Sequence, residues 1–471
     1  IQRGKGRRKR GGKMQVVVFT GETGITAPPE ESDGATRTSR LFAVKSEDEP
    51  ECLLPLANKP LLVHQLELFA AAGLRNVLLV TQEWYLMKIK EHAHHPALTV
   101  EVVTVPPHYR AVETLLHIRG KLQPDFVVYN WDALVMPSVL RALLDLHRQR
   151  AARLTALLVR QPDPVPADKA GKKGKGGKGK GGKAEPPFSF DTLRLPARVL
   201  VPNVNHIFAL AGPHLLSAAP VLSDQADSAL PIPAALLSAF PELTLFGPGQ
   251  LQDFTVYACS RWVVDFAKAY EDALSSRSFQ LDLLPQLVRR QFSRSLPGGE
   301  ERAGTSIDTL LGRGRDGPQD VAKCYAYVVP AGDAGLVGRV QTLQGYVAAN
   351  KKVAGVVGPF TPPGERLPVG GADFYFAGAG ASVSGTAVVA AQSAVGARTV
   401  VEAGANVRKS IIGAGCVIGE KARVMNSILM DNVTVAPGAT ITGSLVCANV
   451  KIDKVTVAQA IVGHHVHITC S

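Results

Sequence analysis

The stretch VGARTVVEAGANVRKSIIGAGCVI, residues 395–418, decides the fold of this chain. Apolar residues recur in it every six positions, at Val395, Val401 and Val407, then at Ile412 and Ile418. The pattern continues outward through Val424, Val433, Ala439, Leu445, Val455 and Ile461, with Gly396, Gly404, Gly413, Gly419, Gly438, Gly443 and Gly463 beside it. A helix needs apolar spacings of three and four, and a hairpin sheet shows longer alternating runs. Steps of six that reset register every few steps instead specify a parallel β-helix, in which each short strand stacks on the coil below. β-Branched side chains fill the narrow interior, and Gly or Asn takes corners where φ is positive or a Cβ does not fit. An all-β, left-handed parallel β-helix of hexapeptide repeats is therefore expected over 383–471.

The rest of the chain is too long for one core, since 471 residues exceed an ordinary domain. No apolar run approaches the roughly 20 residues that cross a bilayer, and the basic start has no apolar segment behind it, so neither a membrane span nor a secretory signal is expected. The net charge of +12 suggests nucleic acid until it is located. Residues 1–13 carry seven basic groups and no acid, and residues 169–183 carry seven lysines and no acid. Setting these fourteen aside takes +12 to −2, so the folded body is nearly neutral. Met14 reads as the natural start after a disordered basic tail. The Lys/Gly tract reads as a solvated insertion spanning 162–187, with a salt-sensitive RNA contact as the competing reading. Six scattered cysteines without a CxxC pair suit a reducing, cytosolic setting. Of His464, His465 and His467, only the last two share a strand face, so no metal site is expected there.

From residue 14 onward, strand-like and helix-like segments alternate. Residues 15–20 (QVVVFT), 76–81, 98–105, 125–129 and 154–160 read as strands, with helices at 61–72, 111–121 and 139–150 between them. Beyond the insertion, 204–210, 254–259 and 324–330 read as strands, and 262–273, 281–292 and 343–350 as helices. This alternation predicts an α/β, doubly wound, mostly parallel Rossmann-like domain over 14–357. It carries a mobile loop at 293–317, and a Pro/Gly linker at 358–382 leads to the β-helix.

A parallel α/β domain followed by a hexapeptide β-helix resembles the sugar-phosphate nucleotidyltransferases, and residues 50–62 (PECLLPLANKPLL) match the latter half of that family's signature. The resemblance implies a Gly-rich loop after the first strand, a phosphate-binding Arg, a catalytic Lys and a metal-binding Asp. Attack on an α-phosphate is catalysed by positioning and charge neutralisation, so cations must meet the phosphates. Here the loop after Gly21 is long and acidic, Arg40 is displaced from the phosphate Arg position, and Glu51 stands at the place of the catalytic Lys. One charge near a phosphate is worth about 4 kcal/mol at an effective dielectric near 20, so exchanging plus for minus costs on the order of 8 kcal/mol. That corresponds to more than about a 10⁵-fold loss of rate. Tyr109 and Arg110 replace the Gly-Thr that would meet the base. Asp132 matches the metal-binding Asp; the alternative is a strand-end Asp capping the next helix. Gly21, Arg40, Glu51 and Asp132 are thus expected to form a vestigial nucleotide site, with no catalytic residue, metal or cofactor.

The later chain resembles the gamma-subunit family of eukaryotic initiation factor two-B, the guanine-nucleotide exchange factor for initiation factor two. The matching segments are 283–293 (LLPQLVRRQFS), Cys324-Tyr325, 339–350 (RVQTLQGYVAAN), 408–419 (RKSIIGAGCVIG), 426–433 (NSILMDNV) and 443–447 (GSLVC). The resemblance implies a non-catalytic scaffold subunit in the cytosol. It would pair with an epsilon subunit and join alpha, beta and delta subunits to promote GDP release from initiation factor two. It implies no membrane and no direct nucleic-acid binding. The epsilon subunit continues into a helical domain that performs the exchange; this chain, ending at Ser471, is expected not to carry that activity alone. The competing expectation is an active pyrophosphorylase of GDP-mannose or ADP-glucose type, for which the residue at position 51 and its loop are the discriminating feature.

Overall fold

The computed structural model describes residues 14–21, 49–161, 205–221, 240, 242–247, 249–274, 277–291, 323–329, 338–354, 363–370 and 373–469. The tail 1–13, Arg40, the insertion 162–187 and the loop 293–317 lie outside them.

A ten-stranded sheet organises the first domain. Strands β1 (Gln15–Phe19), β2 (Asn76–Thr81), β3 (Thr99–Thr104) and β4 (Asp125–Asn130) are parallel and lie in the order β3-β2-β1-β4. The sheet continues through β5 (Leu154–Arg160), β6 (Asn205–Ala211), β7 (His214–Val221), β8 (Thr244–Phe246), β9 (Leu251–Ser260) and β10 (Cys324–Val329), in the order β4-β9-β5-β10-β7-β6-β8. This second half is mixed: β9 runs antiparallel to β4 and β5, whereas β10 is parallel to β5. The sequence reading has no counterpart for β7 or β8, which lack an uninterrupted β-branched run.

Both faces of the sheet are covered, as a parallel sheet with buried strands requires. Alternate residues of β1 feed two cores, Val16 and Val18 one, Val17 and Phe19 the other. The first core holds α1 (Leu61–Ala72), α2 (Leu86–His92) and, further along, α4 (Pro137–Gln149) and α7 (Leu343–Ala354). The second holds α3 (Ala111–His117), α5 (Trp262–Ala269) and α6 (Leu284–Arg290). α1 ends where the sequence says it must: Gly73 takes φ 86°, and its N–H and that of Leu74 satisfy carbonyls of the last turn.

Three parallel sheets make the β-helix, with strands stacking coil upon coil. In one sheet successive strands start at Ala394, Ile411, Ile428 and Leu445. Each of these three coils is therefore one residue short of three hexads, and the next, from Leu445 to Ile461, is two short. The short step falls at the same corner, where Lys409, Asn426 and Gly443 have positive φ. It explains why the six-residue count slips. The interior is filled by Val395, Val401, Val407, Ile412, Ile418, Val424, Leu429, Val435, Ile441, Val446 and Ile452, so the expected inward positions of Leu445 and Ile461 are corrected. Those two join Ala394, Ile411 and Ile428 on the outer face of the same sheet, against the first domain's core.

After each short corner comes a buried serine. The Oγ of Ser410 accepts the Ser427 N–H at 3.1 Å and donates to the Arg408 carbonyl at 2.7 Å. Ser427 does the same for Ser444 at 3.1 Å, and Ser444 for Ala460 at 3.1 Å. This ladder satisfies amides that the tight corner turns away from the sheet, and it pins the register.

The segment read as a linker is partly strand. Glu365–Gly370 pairs antiparallel with Asp373–Ala377, and the latter stacks on Ala394–Val395 as the first rung. Arg366 lies over Phe374, 3.8 Å from its ring centre, so an aromatic hairpin covers that end of the stack.

Candidate functional site

Strand order reverses between β1 and β4, and a crevice opens at such a switch point outside the carboxyl ends of parallel strands. Gly21 follows β1, and Asp132 follows β4, with the Trp131 N–H bonded to the Phe19 carbonyl at 3.0 Å. Glu51 is buried in a single 3₁₀ turn beside β1; a Cβ added at Gly21 would lie 3.4 Å from its Oε2. Gly21 and Glu51 therefore lie together, Asp132 follows the neighbouring strand β4, and Arg40 lies outside the described residues. The Gly21–Glu51 contact puts a carboxylate beside the first-strand turn.

Asp132 is fully buried and already engaged. Its Oδ1 accepts from Asn130 Nδ2 at 2.8 Å, and its Oδ2 accepts from Arg339 Nε at 2.9 Å and Nη2 at 2.6 Å. The backbone follows the side chain: Arg339 pairs with Ala133 in a two-residue ladder, and the Asp132 carbonyl accepts the Val340 N–H at 2.8 Å. The alternative of a helix cap does not hold, because α4 begins at Pro137 behind Met136 with no side-chain cap. Arg339 Nη1 also reaches the Asp253 carbonyl at 3.1 Å. The Asp253 carboxylate in turn accepts from the Thr255 N–H at 2.8 Å and the Tyr257 hydroxyl at 2.6 Å. Burial, reinforced by the Asp253 charge, raises the Tyr257 pKa well above the ordinary phenol range, so the hydroxyl stays a donor. Thr255 sits at a β-bulge with φ 53°, a strained value for a β-branched residue.

Further residues hold the crevice wall. Gln65 of α1 is buried, and its Nε2 donates to the carbonyls of Trp131 at 2.7 Å and Ala133 at 3.0 Å. Lys59, a cation of the nucleotidyltransferase-like signature, is paired with Glu67 at 2.7 Å. Arg110 and Glu113 close the start of α3: the Arg110 N–H bonds Glu113 Oε2 at 2.8 Å, and Glu113 pairs with Arg277. Among the described residues no group of three His, Cys, Asp or Glu side chains could hold a metal. His467 pairs instead with Asp453 at 3.2 Å.

Sequence reasoning missed Arg339, Asp253 and Gln65 as parts of this site. Arg339 stood in a quoted motif, and the structure gives that motif a physical meaning. In RVQTLQGYVAAN, Arg339 locks Asp132, and Thr342 Oγ1 accepts the Gly345 N–H at 3.1 Å to start α7. Tyr346 donates to the Pro55 carbonyl at 2.6 Å, and Asn350 Oδ1 accepts the Ala57 N–H at 2.8 Å. Asn58 then donates to the Ile412 carbonyl at 2.7 Å, carrying the chain of contacts into the β-helix. In LLPQLVRRQFS, Gln291 bridges β7 and β10 through the Leu215 carbonyl at 2.7 Å and the Cys324 N–H at 2.9 Å.

Over 351 residues, 69% of this chain and 73% of the relative, the sequence is 27% identical to "Translation initiation factor eIF2B subunit gamma" of Dictyostelium discoideum. The chain is a homologue of eIF2B subunit gamma. Residues 373–471 match the family model described as the EIF2B subunit epsilon LbH domain, which begins at the same Asp373 that opens the first rung. The two names differ in subunit and share the eIF2B type. A further relative, mannose-1-phosphate guanylyltransferase of Mycobacterium tuberculosis, is 35% identical over 127 residues, 25% of this chain and 35% of that enzyme. The doubly wound domain and the β-helix therefore both have relatives of the expected classes.

Proposed function

We propose that this chain is a non-catalytic subunit of an eIF2B-type exchange factor. It pairs with an epsilon-type subunit and, with alpha-, beta- and delta-type subunits, promotes GDP/GTP exchange on translation initiation factor two in the cytosol. The Asp132–Arg339 contact carries the negative half of this reading. A nucleotidyltransferase needs that carboxylate for a divalent cation, and here a guanidinium occupies it. Glu51 beside Gly21 adds a charge of the wrong sign for a triphosphate. The homology to an eIF2B gamma subunit supports the positive half. The test is co-expression with an epsilon-type subunit, followed by affinity purification and a GDP-release assay on initiation factor two. Co-purification and faster release than with the epsilon-type subunit alone are expected; a chain that binds neither protein contradicts the proposal.

The identity shared with mannose-1-phosphate guanylyltransferase favours a second reading, an active pyrophosphorylase. Release of pyrophosphate from a nucleoside triphosphate and a sugar phosphate separates the two.

A further inference from the structure

Positive charge gathers on the edge of the first sheet remote from the crevice. Arg153 precedes β5 and Lys323 precedes β10, the Arg153 N–H bonding the Lys323 carbonyl at 3.0 Å. β9 ends beside them: the Ser260 N–H bonds the Arg153 carbonyl at 2.9 Å, and Arg261 and Trp262 follow directly. Arg150, just past α4, puts its guanidinium 6.0 Å from the ring centre of Tyr325, and that of Arg153 lies 5.7 Å from Trp262. Three chain segments thus bring four cations together in a body whose formal charge, without its two basic tracts, is only −2. Arg150 and Lys323 are exposed, and among the described residues neither pairs with a carboxylate. Their field reaches His214, whose pKa is lowered by burial and then by these same two cations. Acids border the cluster at Asp125, opposite Ser260 in the strand register, at Asp145, 3.8 Å from Arg148, and at Asp265, whose N–H bonds the Arg261 carbonyl at 3.3 Å and whose carboxylate pairs with Arg119 at 2.6 Å.

Two guanidinium groups lie over aromatic rings, which steadies them and covers the rings. Tyr325 is itself buried. A single-stranded nucleic acid needs open aromatic faces for its bases. A carboxylate needs held, planar donors, and that is what this edge offers. We propose that this edge is a docking surface for an acidic segment of a partner protein.

Fluorescence anisotropy with labelled oligoglutamate tests this on the full-length chain at low and physiological salt. The pair Arg150→Gln/Lys323→Gln is compared with Lys352→Gln/Lys451→Gln, which removes the same charge elsewhere. The first pair is expected to weaken binding about tenfold and the control pair by less than about twofold. Equal losses in both pairs, or none in either, overturn the proposal, because the basic tracts alone then explain the binding. Loss of labelled oligothymidylate binding with oligoglutamate binding retained also overturns it, in favour of nucleic acid. If the first pair lowers the melting temperature, Lys323→Gln alone, outside any helix, is expected to weaken binding about threefold, and no change overturns the proposal.

Discussion

Ser427 finds its ladder partners 17 residues away on either side, whereas Asp132 finds Arg339 across 207 residues. Both are buried polar contacts, but they answer different needs. In the β-helix one corner geometry recurs, so one solution recurs with it, and losing a rung leaves its neighbours in place. In the crevice a single cation holds a single fully buried carboxylate. The same Arg339 belongs to the segment that runs through Tyr346 and Asn350 to the seam with the β-helix. The first region is redundant and periodic; the second has one lock.

That difference is sharpest if the lock is removed. Arg339→Met leaves Asp132 buried without its cation and is expected to cost about 3–5 kcal/mol in chemical denaturation. Asp132→Asn/Arg339→Met should recover much of it, because the uncompensated charge is then gone. A loss below about 1 kcal/mol for the single variant would show that solvent or another group reaches Asp132.

Acid probes the same face of the sheet. His64 is buried with Nε2 2.8 Å from the Leu56 carbonyl, and burial lowers its pKa from 6.5 to about 4. The unfolded chain binds this proton first, so the contribution is intact above about pH 6.5 and is lost as pH falls toward 4. His64→Gln should flatten the stability–pH slope over that window, by up to about 3 kcal/mol at its lower end. Parallel slopes for the two proteins would contradict a neutral, buried His64.

The ladder predicts a smaller effect. Ser427→Ala strands the Ser444 N–H and is expected to cost about 1–3 kcal/mol, while Thr434→Ala on the exposed face stays within about 0.5 kcal/mol. Equal costs would mean that the serines do not pin the register. Smaller still is Asn58→Ala, which removes one bond across the seam for about 1 kcal/mol. Its signature is earlier proteolysis between the domains rather than a large shift in midpoint.

How much could be read in advance follows from the same contrast. The β-helix was legible because its cause repeats: branched residues at one spacing imply stacked coils wherever they occur. The phase was harder, since the coils from Ala394 onward fall one or two residues short of three hexads, and Leu445 and Ile461 changed from interior to seam as a result. Strands β1, β2, β4 and β5 were legible as buried apolar runs, and the partly exposed edge strand β3 was legible beside them. β7 and β8 were not, because antiparallel strands of mixed composition (HLLSAAPV and TLF) take their stability from neighbours that the local sequence does not name. At the candidate site, Gly21 and Asp132 were placed after strand ends and Glu51 by the family signature, and Glu51 lies beside Gly21. That Asp132 is held by Arg339 was beyond any local signal. The motif containing Arg339 was visible, but its partner lay in the turn after β4, which only the fold brings near.

The measurement that bears most directly on this account is pyrophosphate release by the purified full-length chain, given magnesium, a nucleoside triphosphate and a sugar phosphate. With Glu51 beside Gly21 and Arg339 on Asp132, the account predicts no release above a protein-free blank. Sustained release that Asp132→Asn abolishes would contradict it.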